Sequence, residues 1–186
     1  MNEILEMTIN EMADASFDCS CGQHHTLGIK YMSIGKGTLP TIVDIAAPFK
    51  DKPVFMISDN HTFEAAGERT LKILEDNGFD VKSYSFQTGD GILIPDEKAL
   101  GRLFMELDPG VGLIVSVGSG TLNDLAKYMS ARTGIPYIIV CTAPSMDGYA
   151  ADGAPMIKAG RKISFIATLP YAIVGDTDIM KEAPMH

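Results

Sequence analysis

The stretch Val111-Gly-Leu-Ile-Val-Ser-Val-Gly-Ser-Gly-Thr-Leu-Asn-Asp124 decides the fold, because an apolar run leads directly into a Gly-x-Gly turn and then into a helix start. Gly118 and Gly120 carry no Cβ atom, so the backbone there can approach a ligand closely. A helix beginning at this turn presents free N–H groups and its positive dipole end to an anion. The third glycine of the usual dinucleotide fingerprint is missing, so a plain strand-to-helix turn stays open. The favoured interpretation is a phosphate-binding turn.

Strand and helix patterns alternate on both sides of this turn. Besides the run that ends at Gly118, buried or alternating apolar segments predict strands at 27–34, 53–58, 79–86, 137–140 and 172–176. Helical spacing predicts helices at 39–46, 62–77, 96–107 and 122–132, with Gly78 closing the second. Two short segments within 154–166 predict a β-hairpin laid against the sheet. The rhythm predicts the α/β class, with a Rossmann-like, open, mostly parallel sheet and flanking helices.

The composition favours a small-molecule partner. The chain has 186 residues, of which 46% are hydrophobic, and 15 basic against 24 acidic residues give a net charge of −9. This charge disfavours binding to nucleic acid or to an anionic membrane. The stretch Met1–Met7 has no secretory-signal pattern, and no segment reaches the roughly 18 apolar residues of a membrane helix. Three cysteines, an odd number, fit a reducing compartment, so a cytoplasmic location is expected.

The segment Cys19-Ser-Cys-Gly-Gln-His-His25 places two cysteines beside two histidines. Its C-x-C spacing lacks the second ligand pair of a zinc finger or zinc ribbon. We interpret it as an N-terminal turn that carries reduced thiols, with a bound metal ion as the less favoured alternative. No metal ligand is therefore assigned to this chain. Cys141 follows a buried run and is interpreted as a small core residue.

Polar residues follow two of the predicted strands at the edge where open sheets bind ligands. Asp59 ends the strand 53–58, where it could hydrogen-bond a ribose or, equally, cap the next helix. Thr142, Ser145 and Asp147 follow the strand 137–140. They too have a structural alternative, since Pro, Ser and Asp-Gly build turns without any ligand.

Three blocks of the chain resemble the glycerol-1-phosphate dehydrogenase family, within the wider group of metal-dependent alcohol, glycerol and dehydroquinate-type enzymes. The blocks are Gly118–Tyr128, Cys141–Tyr149 and Leu169–Asp178, the last followed by Ala183-Pro184. The resemblance covers nearly the whole chain but only the N-terminal half of the family's architecture. It implies an NAD-binding α/β domain over residues 27–186 after an N-terminal segment over 1–26. The helical domain that supplies most of the metal site is expected to be absent.

The resemblance also implies roles for individual residues, all of them at the carboxyl edge of the predicted sheet. Asp147 is the catalytic candidate, near substrate and metal, and Asp124 is expected near the nicotinamide end of the pocket. An acidic residue at position 59 would favour NAD over NADP. The residues implied to bind the cofactor are Asp59, Gly118, Ser119, Gly120, Thr121, Asp124, Thr142 and Ser145.

The implied reaction is hydride transfer between NAD(H) and a small phosphorylated substrate, interconverting dihydroxyacetone phosphate and sn-glycerol 1-phosphate. A divalent metal, nickel, zinc or iron, is expected only in the complete enzyme, where it polarises a carbonyl as a Lewis acid. We therefore expect this chain to be inactive alone. The alternatives are a glycerol or other metal-dependent alcohol dehydrogenase domain, and a noncatalytic nucleotide-binding module. A homo-oligomer is expected, because a missing domain would leave an apolar face exposed.

Overall fold

The computed structural model describes residues 6–13 and 15–184. Most of the stretch Met1–Met7, in which a secretory signal was sought, lies outside the described residues, as does the Met185-His186 end of the predicted domain. Among the described residues, no helix is long and apolar enough to cross a membrane.

Strands and helices alternate along the described chain. The helices are α1 (Ile9–Ala13), α2 (Ile42–Ala46), α3 (Asn60–Thr62), α4 (Glu68–Asp76), α5 (Glu97–Glu106), α6 (Gly120–Thr133) and α7 (Thr177–Met180). The strands are β1 (Ser16–Asp18), β2 (His24–Thr26), β3 (Tyr31–Gly35), β4 (Val54–Asp59), β5 (Val81–Phe86), β6 (Leu113–Gly118), β7 (Tyr137–Cys141), β8 (Gly153–Lys158), β9 (Arg161–Ile166) and β10 (Ala172–Asp176). Short 3-10 helices cover Leu39–Thr41, Ala47–Phe49 and Gly148–Ala150.

Six strands form one sheet in the order β3-β10-β7-β6-β4-β5. Every neighbouring pair in it is parallel, which confirms the predicted Rossmann-like sheet. The chain passes outward from β4 to β5 and then returns to the other side of β4, where β6 and β7 follow. The direction of winding therefore reverses between β4 and β6. In open α/β sheets, ligands bind outside the carboxyl ends of the strands at such a reversal.

Helices cover both faces of the sheet, and that is why the central strands are apolar throughout. In β4 all four residues of Val54–Ile57 are fully buried. Phe55 and Ile57 face the helices α5 and α6, while Val54 and Met56 face α2 and α4. A parallel sheet with both faces covered leaves no solvent-facing side for polar residues.

Two predicted strands begin later than expected, and a glycine accounts for each difference. Strand β3 starts at Tyr31 rather than at residue 27, because Gly28 has a φ of +68° and cannot continue an extended ladder. Strand β5 starts at Val81 rather than at residue 79, because Gly78 has a φ of +77° at the end of α4. The predicted helix 39–46 is partly wrong too, since its first residues, Leu39–Thr41, form a 3-10 turn that contains Pro40.

The helix predicted at 62–77 starts at Asn60 in the structure, two residues before the predicted start. A π-helical turn over Phe63–Gly67 interrupts it. Glycine is needed at the end of that turn, because a Cβ atom at Gly67 would lie 2.9 Å from Cδ2 of Phe63. The aromatic ring therefore packs directly on the backbone of Gly67. Wide turns of this kind are frequent at functional sites, and this one follows the carboxyl end of β4.

The predicted hairpin is confirmed as antiparallel strands β8 and β9, but it does not lie on the sheet. It covers the outer side of α6, where Ala154 and Met156 are buried. Helix α6 is therefore enclosed between sheet and hairpin, which explains why even Lys127 on this helix is fully buried. The N-terminal hairpin of β1 and β2 pairs outside the main sheet. The domain division at residues 26 and 27 stays a prediction.

Candidate cofactor-binding site

A cleft of about 510 Å³ opens at the carboxyl edge of the sheet, where the winding reverses. The last paired residues of β4 and β6 are Ile57 and Ser116. Beyond these residues, β4 leads into α3 and β6 leads into α6. The two segments therefore diverge and leave a crevice between them. The residues that line it are Asp59, His61, Thr62, Ala65, Arg69, Asp90, Gly91, Ile92, Leu93, Ser119, Thr121, Leu122, Thr142, Ala143, Ile179, Glu182, Ala183 and Pro184.

The cleft contains four of the eight predicted cofactor residues, namely Asp59, Ser119, Thr121 and Thr142. The other four do not line it: Gly118, Gly120, Asp124 and Ser145. Ser145 and the catalytic candidate Asp147 are exposed on the loop after β7. Their predicted contacts with cofactor and substrate stay predictions.

Gly118 is required by packing within the turn. A Cβ atom there would lie 2.5 Å from Cδ1 and 2.8 Å from Cβ of Leu122, so only glycine lets α6 fold back so closely on β6. At Gly120, a Cβ atom would lie 3.4 Å from Sδ of Met146. The sequence interpretation explained both glycines by the approach of a ligand; the structure gives each a protein neighbour as well.

The N-terminus of α6 has no side-chain cap. Ser119 is its N-cap residue, yet the hydroxyl makes no capping hydrogen bond. The first helical bond runs from the N–H of Asn123 to the carbonyl of Ser119, at 2.9 Å. The three N–H groups of 120–122 therefore have no partner within the helix. Since Ser119, Thr121 and Leu122 line the cleft, these donors and the positive end of the helix dipole suit an anion bound there.

Asp59 does both things that the sequence left open for it: it lines the cleft and caps the next helix. Its Oδ1 accepts a hydrogen bond from the N–H of Thr62 at 2.8 Å, and its own N–H donates to Oγ1 of Thr62 at 3.0 Å. This is a capping box, which satisfies two donors reciprocally. The second carboxylate oxygen makes no hydrogen bond with the described residues and is available to a ligand.

Asn60 holds the loop that forms the far wall of the cleft. Its Oδ1 accepts hydrogen bonds from the N–H and the hydroxyl of Thr88, at 2.9 and 2.8 Å, and its Nδ2 donates to the carbonyl of Gly89 at 3.1 Å. The following residues, 90–93, line the cleft. The partly exposed side-chain amide of Asn60 therefore connects this loop to the start of α3.

Arg69 supplies a cationic side chain to the cleft that sequence reasoning missed. It lies on α4, well beyond the strand-to-helix turns in which ligand residues are sought. Helical spacing could have indicated it, since His61, Ala65 and Arg69 recur every four residues and all line the cleft.

Asp124 lies within α6, away from the cleft, and is 8% exposed. Burial raises its pKa to about 6, although the charge of Lys127 opposes that rise. Nζ of Lys127 lies 3.6 Å from Oδ1 of Asp124 and donates hydrogen bonds to the carbonyls of Gly148 and Gly153, at 2.9 and 3.1 Å. Burial lowers the pKa of Lys127. No role is predicted for Lys127 from the sequence, although its i, i+3 spacing from Asp124 was a signal.

A buried polar network connects α6 to the loop after β7. The hydroxyl of Tyr137 donates to Oδ1 of Asn123 at 3.2 Å, and Nδ2 of Asn123 donates to the carbonyl of Gly148 at 3.2 Å. The hydroxyl of Tyr149 donates to the carbonyl of Ala143 at 2.8 Å. The network therefore fixes the loop that carries Thr142 relative to the turn at Gly118.

Metal-ligating side chains do not converge in the described part of the cleft. Asp59, His61, Asp90 and Glu182 line it, but no three of the cleft's described His, Cys, Asp or Glu residues bring their ligand atoms together. These residues alone do not fit the metal ion that the family resemblance implies, so we derive no catalytic step through a metal from them.

The parallel sheet and the cleft at its winding reversal define a Rossmann-like α/β domain. The chain belongs to the iron-containing alcohol dehydrogenase family, whose model matches residues 33–184. This confirms the resemblance found in the sequence.

Two relatives illustrate the similarity. A glycerol-1-phosphate dehydrogenase (NAD(P)+) of Geobacillus stearothermophilus is 31% identical over 183 residues, covering 97% of this chain and 45% of the relative. The enzyme of the same name from Picrophilus torridus is 34% identical over 152 residues, covering 81% of this chain and 41% of the relative. The chain thus spans less than half the length of these relatives.

Two solved structures share the fold at lower identity. Glycerol dehydrogenase from Schizosaccharomyces pombe superimposes with a TM-score of 0.71 at 19% identity, covering 84% of this chain and 39% of that one. An iron-containing alcohol dehydrogenase from Thermotoga maritima superimposes with a TM-score of 0.71 at 12% identity, covering 82% of this chain and 47% of that one. At these identities the likeness shows the fold alone.

Proposed function

We propose that this domain binds NAD(H) across the cleft and serves as the cofactor-binding half of a metal-dependent sn-glycerol-1-phosphate dehydrogenase. One observation carries the proposal: the uncapped N-terminus of α6 lies at the winding reversal and borders the cleft. Both relatives described above carry NAD(P)+ in their names, and this supports NAD(H) as the ligand.

The residues of the chain divide the work of binding. The N–H groups of 120–122 bind the pyrophosphate, because they are unpaired donors at the positive end of the α6 dipole. The free carboxylate oxygen of Asp59 accepts a hydrogen bond from a ribose hydroxyl. The loop with Thr142, which the Asn123 network holds in place, borders the same cleft and positions the nicotinamide end.

The proposed reaction interconverts dihydroxyacetone phosphate and sn-glycerol 1-phosphate. A divalent metal, when bound in the complete enzyme, supplies Lewis-acid polarisation of the substrate carbonyl. Because the described cleft residues do not assemble a metal site, we expect this chain alone to bind the cofactor without turning over substrate. The same observation favours one alternative, a noncatalytic nucleotide-binding module. The expected homo-oligomer stays a prediction, which light scattering tests.

Calorimetric titration of the purified chain with NADH, before and after treatment with a chelator, tests the binding proposal. We expect saturable binding that the chelator leaves unchanged, with ADP-ribose competing because it carries the same pyrophosphate. Adding dihydroxyacetone phosphate should not oxidise the bound NADH. No binding by a chain whose folding is confirmed by circular dichroism would contradict the proposal.

Assays with longer forms of the protein distinguish the enzyme from the module. If the complete enzyme is a glycerol-1-phosphate dehydrogenase, NADH oxidation requires the phosphorylated ketone. Activity with dihydroxyacetone but not with its phosphate would indicate a glycerol dehydrogenase instead. NADH binding without any metal-dependent turnover would favour the module.

A further inference from the structure

The N-terminal hairpin brings three metal-ligating side chains together on its surface. The thiol sulfurs of Cys19 and Cys21 and a ring nitrogen of His25 all lie within 4.8 Å of one another. Sγ of Cys21 and Nε2 of His25 are 3.2 Å apart. Two such atoms on one tetrahedral Zn²⁺ ion would be about 3.5 Å apart, given Zn–S and Zn–N distances of about 2.3 and 2.0 Å. We propose that the turn between β1 and β2 is a Zn²⁺ site formed by these three residues.

The backbone of the turn holds the two sulfurs in place before any ion binds. The N–H of Cys19 donates to the carbonyl of Gln23, and the N–H of Gly22 donates to the carbonyl of Cys19, both at 2.9 Å. The N–H of Cys21 points at Sγ of Cys19, at 3.5 Å. Gly22 has a φ of +82°, a conformation that side chains with a Cβ rarely adopt. Amide donation to sulfur stabilises a thiolate, which is the form that binds metal.

The hairpin has little apolar packing of its own, and this is an independent reason to expect a metal ion. All three residues of β2 are exposed, and only Phe17 of β1 is partly buried. An isolated two-stranded hairpin is marginally stable in water at best. A zinc ion joining both ends of the turn would supply the missing stabilisation, as structural zinc does in small domains.

His24 shows that the site selects one of two adjacent histidines. Its ring nitrogens lie 2.8 Å from Oδ1 of Asp18 and 2.8 Å from Oγ of Ser16, so it is engaged on the other face of the hairpin. The ring of His25 packs against Phe17, with centroids 5.5 Å apart, and faces the sulfurs. Three protein ligands leave one coordination position for a water molecule.

Two thiolates and one imidazole favour Zn²⁺ over the oxygen-seeking ions Mg²⁺ and Ca²⁺. The three residues are not among those that line the cleft between β4 and β6. The zinc site is thus separate from the proposed cofactor site, and either could fail without the other.

Cobalt and zinc titrations of the reduced chain, purified without an immobilised-metal column, test the site. We expect one tightly bound ion per chain, and a Co²⁺ form with the thiolate charge-transfer and tetrahedral d–d absorption bands. Cys21→Ser and His25→Gln should weaken Zn²⁺ binding by at least about 100-fold, since losing even a hydrogen-bond partner of a ligand costs 10–100-fold. The matched control His24→Gln should leave the affinity within about threefold.

Three results would overturn the proposal. The first is Co²⁺ binding without thiolate bands, and the second is an equal loss of affinity in the His24 and His25 variants, which marks adventitious binding by surface imidazoles. The third is a thiol titration that finds Cys19 and Cys21 joined in a disulfide under reducing conditions. Because the hairpin lies outside the main sheet, far-ultraviolet circular dichroism should show that all three variants keep the fold.

Discussion

Two helices begin at the cleft, one after β4 and one after β6, and their first turns are completed differently. The helix at Asn60 is closed by the carboxylate of Asp59, which bonds the N–H of Thr62. The helix at Gly120 has no side-chain cap, because Ser119 does not bond its first turn. A carboxylate fills the anion position of the first helix, whereas the second leaves that position open. This difference is why we propose the turn at α6, and not the turn at α3, as the phosphate-binding one.

Two further helices, α5 and α7, are capped by a carboxylate as α3 is, whereas α6 is not. Helices α2 and α4 also lack a side-chain cap, but each continues a 3-10 or π-helical turn that precedes it. Asp96 caps α5 through the N–H groups of Lys98 and Ala99, and Asp176 caps α7 through the N–H of Asp178. A missing cap costs about 1 kcal/mol of helix stability. Proteins tend to depart from such local rules at functional sites. The predictions below test whether the α6 turn departs for that reason, from the largest expected effect to the smallest.

The largest effect should follow from adding a Cβ atom at Gly118, in the turn before α6. Gly118→Ala places a Cβ atom 2.5 Å from Cδ1 of Leu122, so the helix must shift away from β6. We expect the free energy of unfolding to fall by about 1–3 kcal/mol, as overpacking does elsewhere. Urea denaturation measures it.

Gly101→Ala is the matched control for that substitution. No atom lies within 4 Å of the added Cβ on α5. The free energy of unfolding of this variant should therefore rise by about 0.5–1 kcal/mol. Equal stability changes in the two variants would mean that the close contact between Gly118 and Leu122 is not required.

A carboxylate placed at the open turn should separate stability from binding. In Ser119→Asp the new side chain caps α6 as Asp59 caps α3, so the free energy of unfolding should rise by about 0.5–1 kcal/mol. The same charge repels a pyrophosphate, and NADH affinity should fall about tenfold, or about 1.4 kcal/mol. Denaturation and calorimetry measure the two quantities.

Ser119→Asn caps the helix without a charge and is the control for repulsion. Its loss of NADH affinity should be smaller than that of the aspartate variant. If the Asp variant bound NADH as tightly as the unmodified chain, the pyrophosphate would have to lie elsewhere.

The capped turn should influence which dinucleotide binds. Asp59 would repel the 2′-phosphate of NADPH, so Asp59→Asn should narrow the preference for NADH by about fivefold, or ~1 kcal/mol. Stability should barely change, since Asn is as good an N-cap as Asp. Competition titrations with both cofactors measure the preference.

Asp96→Asn provides the comparison at a helix that does not face the cleft. It should alter neither cofactor preference nor stability. A preference that is unchanged in Asp59→Asn would show that this carboxylate acts as a cap only.

The last prediction concerns Asp124, one turn inside the open helix, and the pH dependence of stability instead of cofactor binding. Its pKa in the native state is about 6, against an ordinary 3.8, so the native state binds a proton more readily than the unfolded state between these values. Its contribution to stability is therefore fully present below about pH 4 and is lost as the pH rises through 6. The pKa of about 6 already includes the attraction of Lys127, whose Nζ lies 3.6 Å from Oδ1 of Asp124.

Denaturation between pH 4 and 7 tests that dependence. Asp124→Asn should remove the pH-dependent component, whereas Asp51→Asn, at an exposed position, should keep it. A carboxyl resonance of Asp124 that titrates near its ordinary value would refute the prediction.

The sequence located the α6 turn and Asp59 because strand ends and glycine turns are local features. It predicted neither the burial of Asp124 nor that of Lys127, because their burial depends on a hairpin that covers α6 from 25 or more residues away in the chain. The explanation for Gly118 was incomplete, since the contact with Leu122 requires the angle between strand and helix. The convergence of Cys21 and His25 likewise depends on strand pairing that the C-x-C spacing did not reveal.

Amide NMR spectra of the 15N-labelled chain during an NADH titration test the central claim most directly. The account predicts saturable shifts for the N–H groups of Gly120, Thr121 and Leu122, while those of Lys98 and Ala99, already bonded to Asp96, stay in place. Saturable binding that leaves the three α6 amides unmoved, or the absence of any shift at saturating NADH, would contradict the assignment of this turn as the phosphate-binding site.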